Sequence, residues 1–182
     1  MNQMIPRILS ILTLFVWIHT TSQAKQWNAV SASQPAKSKP VVIQSNVTSS
    51  TVQFSLNGYF LEEVNTSKGV AYTLNSPGGS SMLKEGAPDL PLFSISLVIP
   101  DHGQMEVIVL NSKFTDYPNV MIAPSKGNVY RNIDISDVPY RYGKEYQNNA
   151  FYPSAIVDTR LPHIFRDYRG QTFLFQPFNI IL

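Results

Sequence analysis

Val52-Gln53-Phe54-Ser55-Leu56-Asn57-Gly58 places an apolar side chain at every second position, with polar ones between, and stops on glycine. Successive side chains of a strand point to opposite faces, so a period of two describes a half-buried β-strand. Downstream the same grammar recurs. Phe60, Glu62 and Val64 share one face with Leu61 and Glu63 on the other, and Val70-Ala71-Tyr72-Thr73-Leu74 is a short strand. The latter ends in Asn75-Ser76-Pro77-Gly78-Gly79-Ser80-Ser81, a loop by composition. Leu92-Phe93-Ser94-Ile95-Ser96-Leu97-Val98-Ile99 is stopped by Pro100. Asp101-His102-Gly103-Gln104 has turn chemistry and Met105–Leu110 is apolar again, which predicts a hairpin with a four-residue loop. Val120-Met121-Ile122-Ala123 is a further short strand. Near the end, Ile164–Tyr168 and Gln171–Phe175 flank Arg169-Gly170, which predicts a second hairpin turning there.

No window of ten or more residues has convincing helical periodicity, and 13 prolines spread through the chain would break most candidates. Many short strands separated by turn signals predict an all-β domain, a sandwich or barrel.

Upstream of the first strand the character changes twice. Lys25 to Pro40 is Ser, Ala, Gln, Lys and Pro with little to bury, which predicts a flexible leader over residues 25–40 and order from Val41. Before it, Met1–Arg7 carries one positive charge, Ile8–Ile18 is apolar, and Ser22-Gln23-Ala24 supplies small residues at a cleavage site. The apolar run is short of the roughly 20 residues a membrane span needs. Residues 1–24 therefore read as a signal peptide cut between Ala24 and Lys25, leaving an exported chain with no membrane anchor. Without Arg7, 13 of the 14 basic residues remain against 12 acidic ones, and no basic stripe suggests nucleic acid.

The chain has no cysteine, which excludes a thiol nucleophile, a thiolate metal site and disulfides. Its histidines are His19, His102 and His163. The first leaves with the signal peptide, the second sits in the predicted turn, and the third reads as a structural or surface residue. No Gly-x-Ser-x-Gly elbow is present. Glu62 and Glu63 are strand neighbours and point to opposite faces, so they do not converge on a substrate. Ser76–Ser81 lacks the Lys-Ser/Thr that a phosphate loop needs, and nothing has metal-ligand spacing. Neither catalysis nor a cofactor is expected.

Four stretches, in order, resemble the propeptide domain of the gingipains, secreted cysteine proteases of Bacteroidetes. They are Thr66-Ser67-Lys68-Gly69-Val70-Ala71; Lys84-Glu85-Gly86-Ala87-Pro88-Asp89-Leu90-Pro91; Ile122-Ala123-Pro124-Ser125-Lys126-Gly127 with Val138–Tyr146 and Phe151-Tyr152-Pro153; and Arg166-Asp167-Tyr168-Arg169-Gly170-Gln171. The resemblance covers roughly Val52 to Phe178 and is closest to the arginine-specific members. It implies a β-sandwich-like prodomain over residues 41–182 that chaperones a gingipain-type catalytic domain and holds it inactive. It also implies an inhibitory loop, Lys126-Gly127-Asn128-Val129-Tyr130-Arg131-Asn132, with Arg131 entering the protease specificity pocket. A guanidinium suits that role because it can meet a carboxylate with two parallel hydrogen bonds. Tyr140, Tyr142, Tyr146, Phe151 and Tyr152 admit two readings, packing of a long loop against the sandwich or a protease-facing patch. Precursors of the family run on into further prodomain strands, a cleavage junction and the catalytic domain. A chain stopping at Phe178-Asn179-Ile180-Ile181-Leu182 is therefore expected to be C-terminally truncated, lacking the last strands of its prodomain. The alternative from another class is an exported β-sandwich binding or adhesion module.

Overall fold

The computed structural model of the chain describes residues 25–181. The expected signal peptide, including Ala24 of its cleavage site, lies outside the described residues. In chain order the strands are β1 (Gln26–Ala29), β2 (Val41–Ser45), β3 (Ser50–Gln53), β4 (Gly58–Thr66), β5 (Gly69–Asn75) and β6 (Ser80–Ser81). They continue with β7 (Pro91–Val98), β8 (Phe151–Tyr152), β9 (Val157–Thr159), β10 (His163–Phe165), β11 (Tyr168–Phe175) and β12 (Ile180–Ile181). Helix is confined, among the described residues, to two 3-10 turns, Ile135–Asp137 and Lys144–Gln147. The all-β reading holds.

One antiparallel sheet has the order β1-β4-β5 and a second the order β10-β11-β7-β6, with β9 on the same edge of β11 as β10. Two small pairs, β2–β3 and β8–β12, complete the set. Alternation is clearest in β7, where Phe93 is buried and Ile95 and Leu97 half-buried while Ser94 and Ser96 are exposed. In β11 both Phe173 and Leu174 are buried, so that strand is covered on both faces. The core draws on both sheets: Tyr59 and Ala71 from the first, Phe93, Phe173 and Leu174 from the second, with Leu90, Ile122 and Ala123 from the segments between. Of the alternating stretch only Val52 and Gln53 lie in a strand, β3, and residues 54–57 leave the ladder; its apolar face is half-buried all the same, with Phe54 4.8 Å from the Phe93 ring and 5.6 Å from the Phe175 ring.

Four further sequence expectations need correction. The leader is built into the fold. Its residues 26–29 form β1 on β4, and the Asn57 carbonyl accepts from the amides of Val30, Ser31 and Ala32. Ser38 is buried, donates its amide to Pro77 O and accepts at its hydroxyl from the Asn57 amide. Composition missed this because the attachment uses backbone groups and one large side chain. Trp27 packs 5.0 Å from Phe60 and lies flat enough on Gly58 that a Cβ there would come within 2.3 Å of the indole. Trp27→Ala is expected to destabilise the domain by about 1–3 kcal/mol, below the full cost of a buried tryptophan because the ring is half-buried. Urea denaturation measures it; an unchanged midpoint would show that β1 adds nothing.

Met105–Leu110 forms no strand. The turn before it is real, and the Arg169 guanidinium donates to Pro100 O at 2.7 Å and Gly103 O at 3.1 Å. Beyond it Ile108 and Leu110 are 71% and 80% exposed, so the apolar run is not packed as a strand. The second hairpin exists, yet it turns at Arg166-Asp167, with Arg166 at φ +54°, and Arg169-Gly170 lies inside β11. Gly170 serves close approach between strands: it pairs with both His163 and Val98, and a Cβ there would sit 3.2 Å from the His163 imidazole. Finally, Val120–Ala123 contributes a single parallel bridge, Tyr72 to Ile122, and not a strand of its own.

Candidate functional site

The β4–β5 hairpin turns through Ser67-Lys68, with Gly69 at φ +100° and the Thr66 hydroxyl donating to Gly69 O at 2.7 Å. On the outer edge of β5 lies residue segment 121–125. Tyr72 N donates to Met121 O, and Ala123 N to Tyr72 O, both at 2.8 Å. Segment 86–89 then lines the far side of 123–125: Asp89 N donates to Ala123 O, Ser125 N to Ala87 O and Gly86 N to Ser125 O, at 3.1, 2.7 and 3.0 Å. Ile122 to Ser125 are all buried. The sequence-predicted loop leaves the domain from this anchored base.

Its first residues stay attached. Gly127 is buried at φ +73°, so close to Glu85 that a Cβ would meet the Glu85 Cβ at 3.0 Å. The Lys126 ammonium donates to Ile135 O at 2.7 Å, bridging outgoing and returning limbs, and lies 4.4 Å from the Tyr140 ring centre. Asn128 is exposed and Val129 half-buried. At the tip the amide of Ile133 donates to Tyr130 O at 3.0 Å, closing a turn with Arg131 and Asn132 at its two central positions. Both central residues are exposed, and Tyr130, Ile133 and Ile135 around them are 79%, 46% and 60% exposed. The ion pairs of the described residues, Lys25–Glu62 and Lys84–Glu145, do not involve Arg131. The returning limb starts with a cap: Asp134 Oδ1 accepts from the Ser136 amide and hydroxyl, and these bonds hold its carboxyl below the usual range.

The five aromatic candidates separate. Tyr142 shares a 2.7 Å hydrogen bond with the Thr66 hydroxyl, meets the Tyr146 ring edge-on at 4.7 Å, and has the Lys68 ammonium 4.6 Å from its ring centre. Tyr146 donates to Ile122 O at 2.7 Å, and burial raises its pKa above the ordinary tyrosine value. Tyr140 and Tyr152 are half-buried and burial raises both. Packing of the returning limb against the β4–β5 hairpin therefore accounts for Tyr142, and packing against segment 121–125 for Tyr146. Phe151 alone is mostly exposed, at 61%.

The sequence reading assigned no role to Lys84. Its ammonium pairs with Glu145 at 2.7 Å, where the carboxylate is only 10% exposed and the lysine 54%. That hydrogen bond lowers the Glu145 pKa, so the pair's contribution is present above the ordinary glutamate range and lost as pH falls through the depressed value. With the lysine half-exposed, water screens the pair and its worth stays at or below about 1 kcal/mol. Among the described residues no group of three His, Cys, Asp or Glu could hold a metal, and no helix is long and apolar enough to cross a membrane.

A family model described as Propeptide_C25 matches residues 33–181. Gingipain R1 of Porphyromonas gingivalis is 43% identical over 126 residues, 69% of this chain and 13% of that protein. Gingipain R2 of the same organism is 39% identical over 128 residues, 70% of this chain and 17% of that protein. The chain thus spans less than a fifth of the curated relatives it matches. A solved complex of P. gingivalis RgpB pro- and mature domains superimposes with a TM-score of 0.75 at 34% identity, covering 80% of this chain and 74% of that one. A structure on the zymogenic latency of gingipain K from P. gingivalis shares the fold, with a TM-score of 0.63 at 18% identity over 86% of this chain and 88% of that one.

Proposed function

The chain belongs to the C25 propeptide family, the non-catalytic part of gingipain-type precursors, and from that premise we propose that it chaperones and inhibits an arginine-specific gingipain-type catalytic domain by placing Arg131 in the specificity pocket. The family assignment displaces the reading as an unrelated adhesion module. The observation that carries the inhibitory mechanism is the exposed Tyr130–Ile133 turn, which holds Arg131 clear of the domain while the loop's base is pinned by backbone hydrogen bonds. A guanidinium without an ion-pair partner among the described residues is available to a carboxylate on another protein, and the exposed Tyr130, Ile133 and Ile135 offer apolar surface to bury around it. Mixing the purified chain with an arginine-specific gingipain and following hydrolysis of an arginyl substrate tests the proposal. The rate should fall as the chain is added, and a rate that never changes ends this reading.

Export to the periplasm, the outer-membrane surface or the medium belongs to the same proposal and is supported by the three-part pattern of residues 1–24. The expected N-terminus of the chain recovered outside the cytoplasm is Lys25. Recovery of a chain beginning at Met1 would overturn the cleavage.

A further inference from the structure

Both ends of the excursion that carries Arg131 meet at one residue. The amide of Gly86 donates to Ser125 O at 3.0 Å on the outgoing limb, and the carbonyl of Gly86 accepts from the Gly143 amide at 2.8 Å on the returning limb. Everything from Lys126 to Tyr142 lies between those two bonds. Gly86 is buried at φ +79°, a region that L side chains enter only with strain. A Cβ there would stand 3.2 Å from both the Cα and the amide nitrogen of Gly143 and 3.4 Å from Arg141 O. The approach is close from the other side too, since a Cβ on Gly143 would lie 3.0 Å from Gly86 O. The Lys84–Glu145 pair repeats the attachment one step outward, joining the same segment to the same limb.

We propose that Gly86 is a positioning residue: its backbone clasps Ser125 and Gly143 together and so presents the Arg131 turn in its binding conformation before any protease arrives. This rests on the inhibitory reading of Arg131. The physical reason is entropic. A loop whose ends are held by a single residue has fewer states to surrender on docking, and what it does not lose on binding appears as affinity. The clasp gives the Lys84–Pro91 stretch a purpose although none of its residues reaches the loop tip.

The test compares the full chain with Gly86→Ala, Arg131→Ala and the double variant, for inhibition of an arginine-specific gingipain catalytic domain and for amide hydrogen exchange in the free chain. Gly86→Ala is expected to weaken inhibition at least about tenfold. In the Arg131→Ala background it should add less than about threefold, because positioning matters only where there is an arginine to position. Equal losses in both backgrounds would mean a general structural effect and overturn the proposal. Exchange at Ile133 and Val138 should quicken in Gly86→Ala while the β7 and β11 amides keep their protection. Unchanged exchange at those two positions refutes the clasp even if the parent chain inhibits nothing, an outcome that would separately end the inhibitory reading. Should Gly86→Ala lose protection throughout, Gly143→Ala serves instead: at φ −84° its backbone accepts alanine, while the added Cβ, 3.0 Å from Gly86 O, pushes the returning limb off the clasp, and loop exchange no faster than in the parent overturns the proposal.

Discussion

Arg131→Ala is expected to weaken inhibition of an arginine-specific gingipain roughly 30- to several-thousand-fold, from the loss of about 2–5 kcal/mol that follows truncation of one partner in a buried, hydrogen-bonded charge pair. Part of that loss is the cost of leaving the protease's pocket carboxylate dehydrated and unpaired. The variant should fold as the parent does. Arg131 is exposed at the second position of its turn, and the bonds that hold the loop (Lys126 to Ile135 O, Ile133 to Tyr130 O and the Asp134 cap) do not use its side chain. A reduced affinity with an unchanged melting temperature is therefore the expected signature. Arg131→Lys is no neutral control, because an ammonium is a point charge and loses the two-bond fork. Inhibition constants within about threefold of each other would remove Arg131 from the mechanism.

Phe93→Ala should have the opposite signature, a large loss of stability. The ring is 1% exposed, its strand pairs Phe93 with Phe175, and Phe54 packs against both rings. Gly79 closes the site on another side, where an added Cβ would stand 3.0 Å from the Phe93 ring. So crowded a site leaves a cavity when the ring is removed, and the cost is about 3–5 kcal/mol. Against a total of about 5–15 kcal/mol for an ordinary domain, that is a large share. The melting temperature should fall by about 6–20 °C, as thermal unfolding would show. A drop under about 2 °C would mean that the two sheets and the Phe54 segment do not share one core.

Residues whose message lies in their own side chains were legible. The alternation in β7 and the short apolar run of β5 reflect how a strand presents its faces, and both strands stand where the pattern put them. The loop of Lys126–Asn132 was legible through the family resemblance, and its tip at Arg131 and Asn132 is exposed. What was misread depended on partners. Met105–Leu110 has a strand's side chains but no ladder, and its Ile108 and Leu110 stay exposed. Residues 25–40 have a leader's composition, yet 26–29 form a strand because β4 offers them an edge.

The sequence by itself determined the all-β class, the propeptide family and the place of Arg131 in a polar excursion, since each is carried by side-chain identity and local spacing. Only the tertiary structure decided that residues 26–29 of the leader form a strand, that the last hairpin turns at Arg166-Asp167, and that Gly86 bonds to both ends of the arginine loop. Backbone amides and carbonyls carry the first and third of these, and every residue but proline has both, so no residue pattern announces which of them will meet.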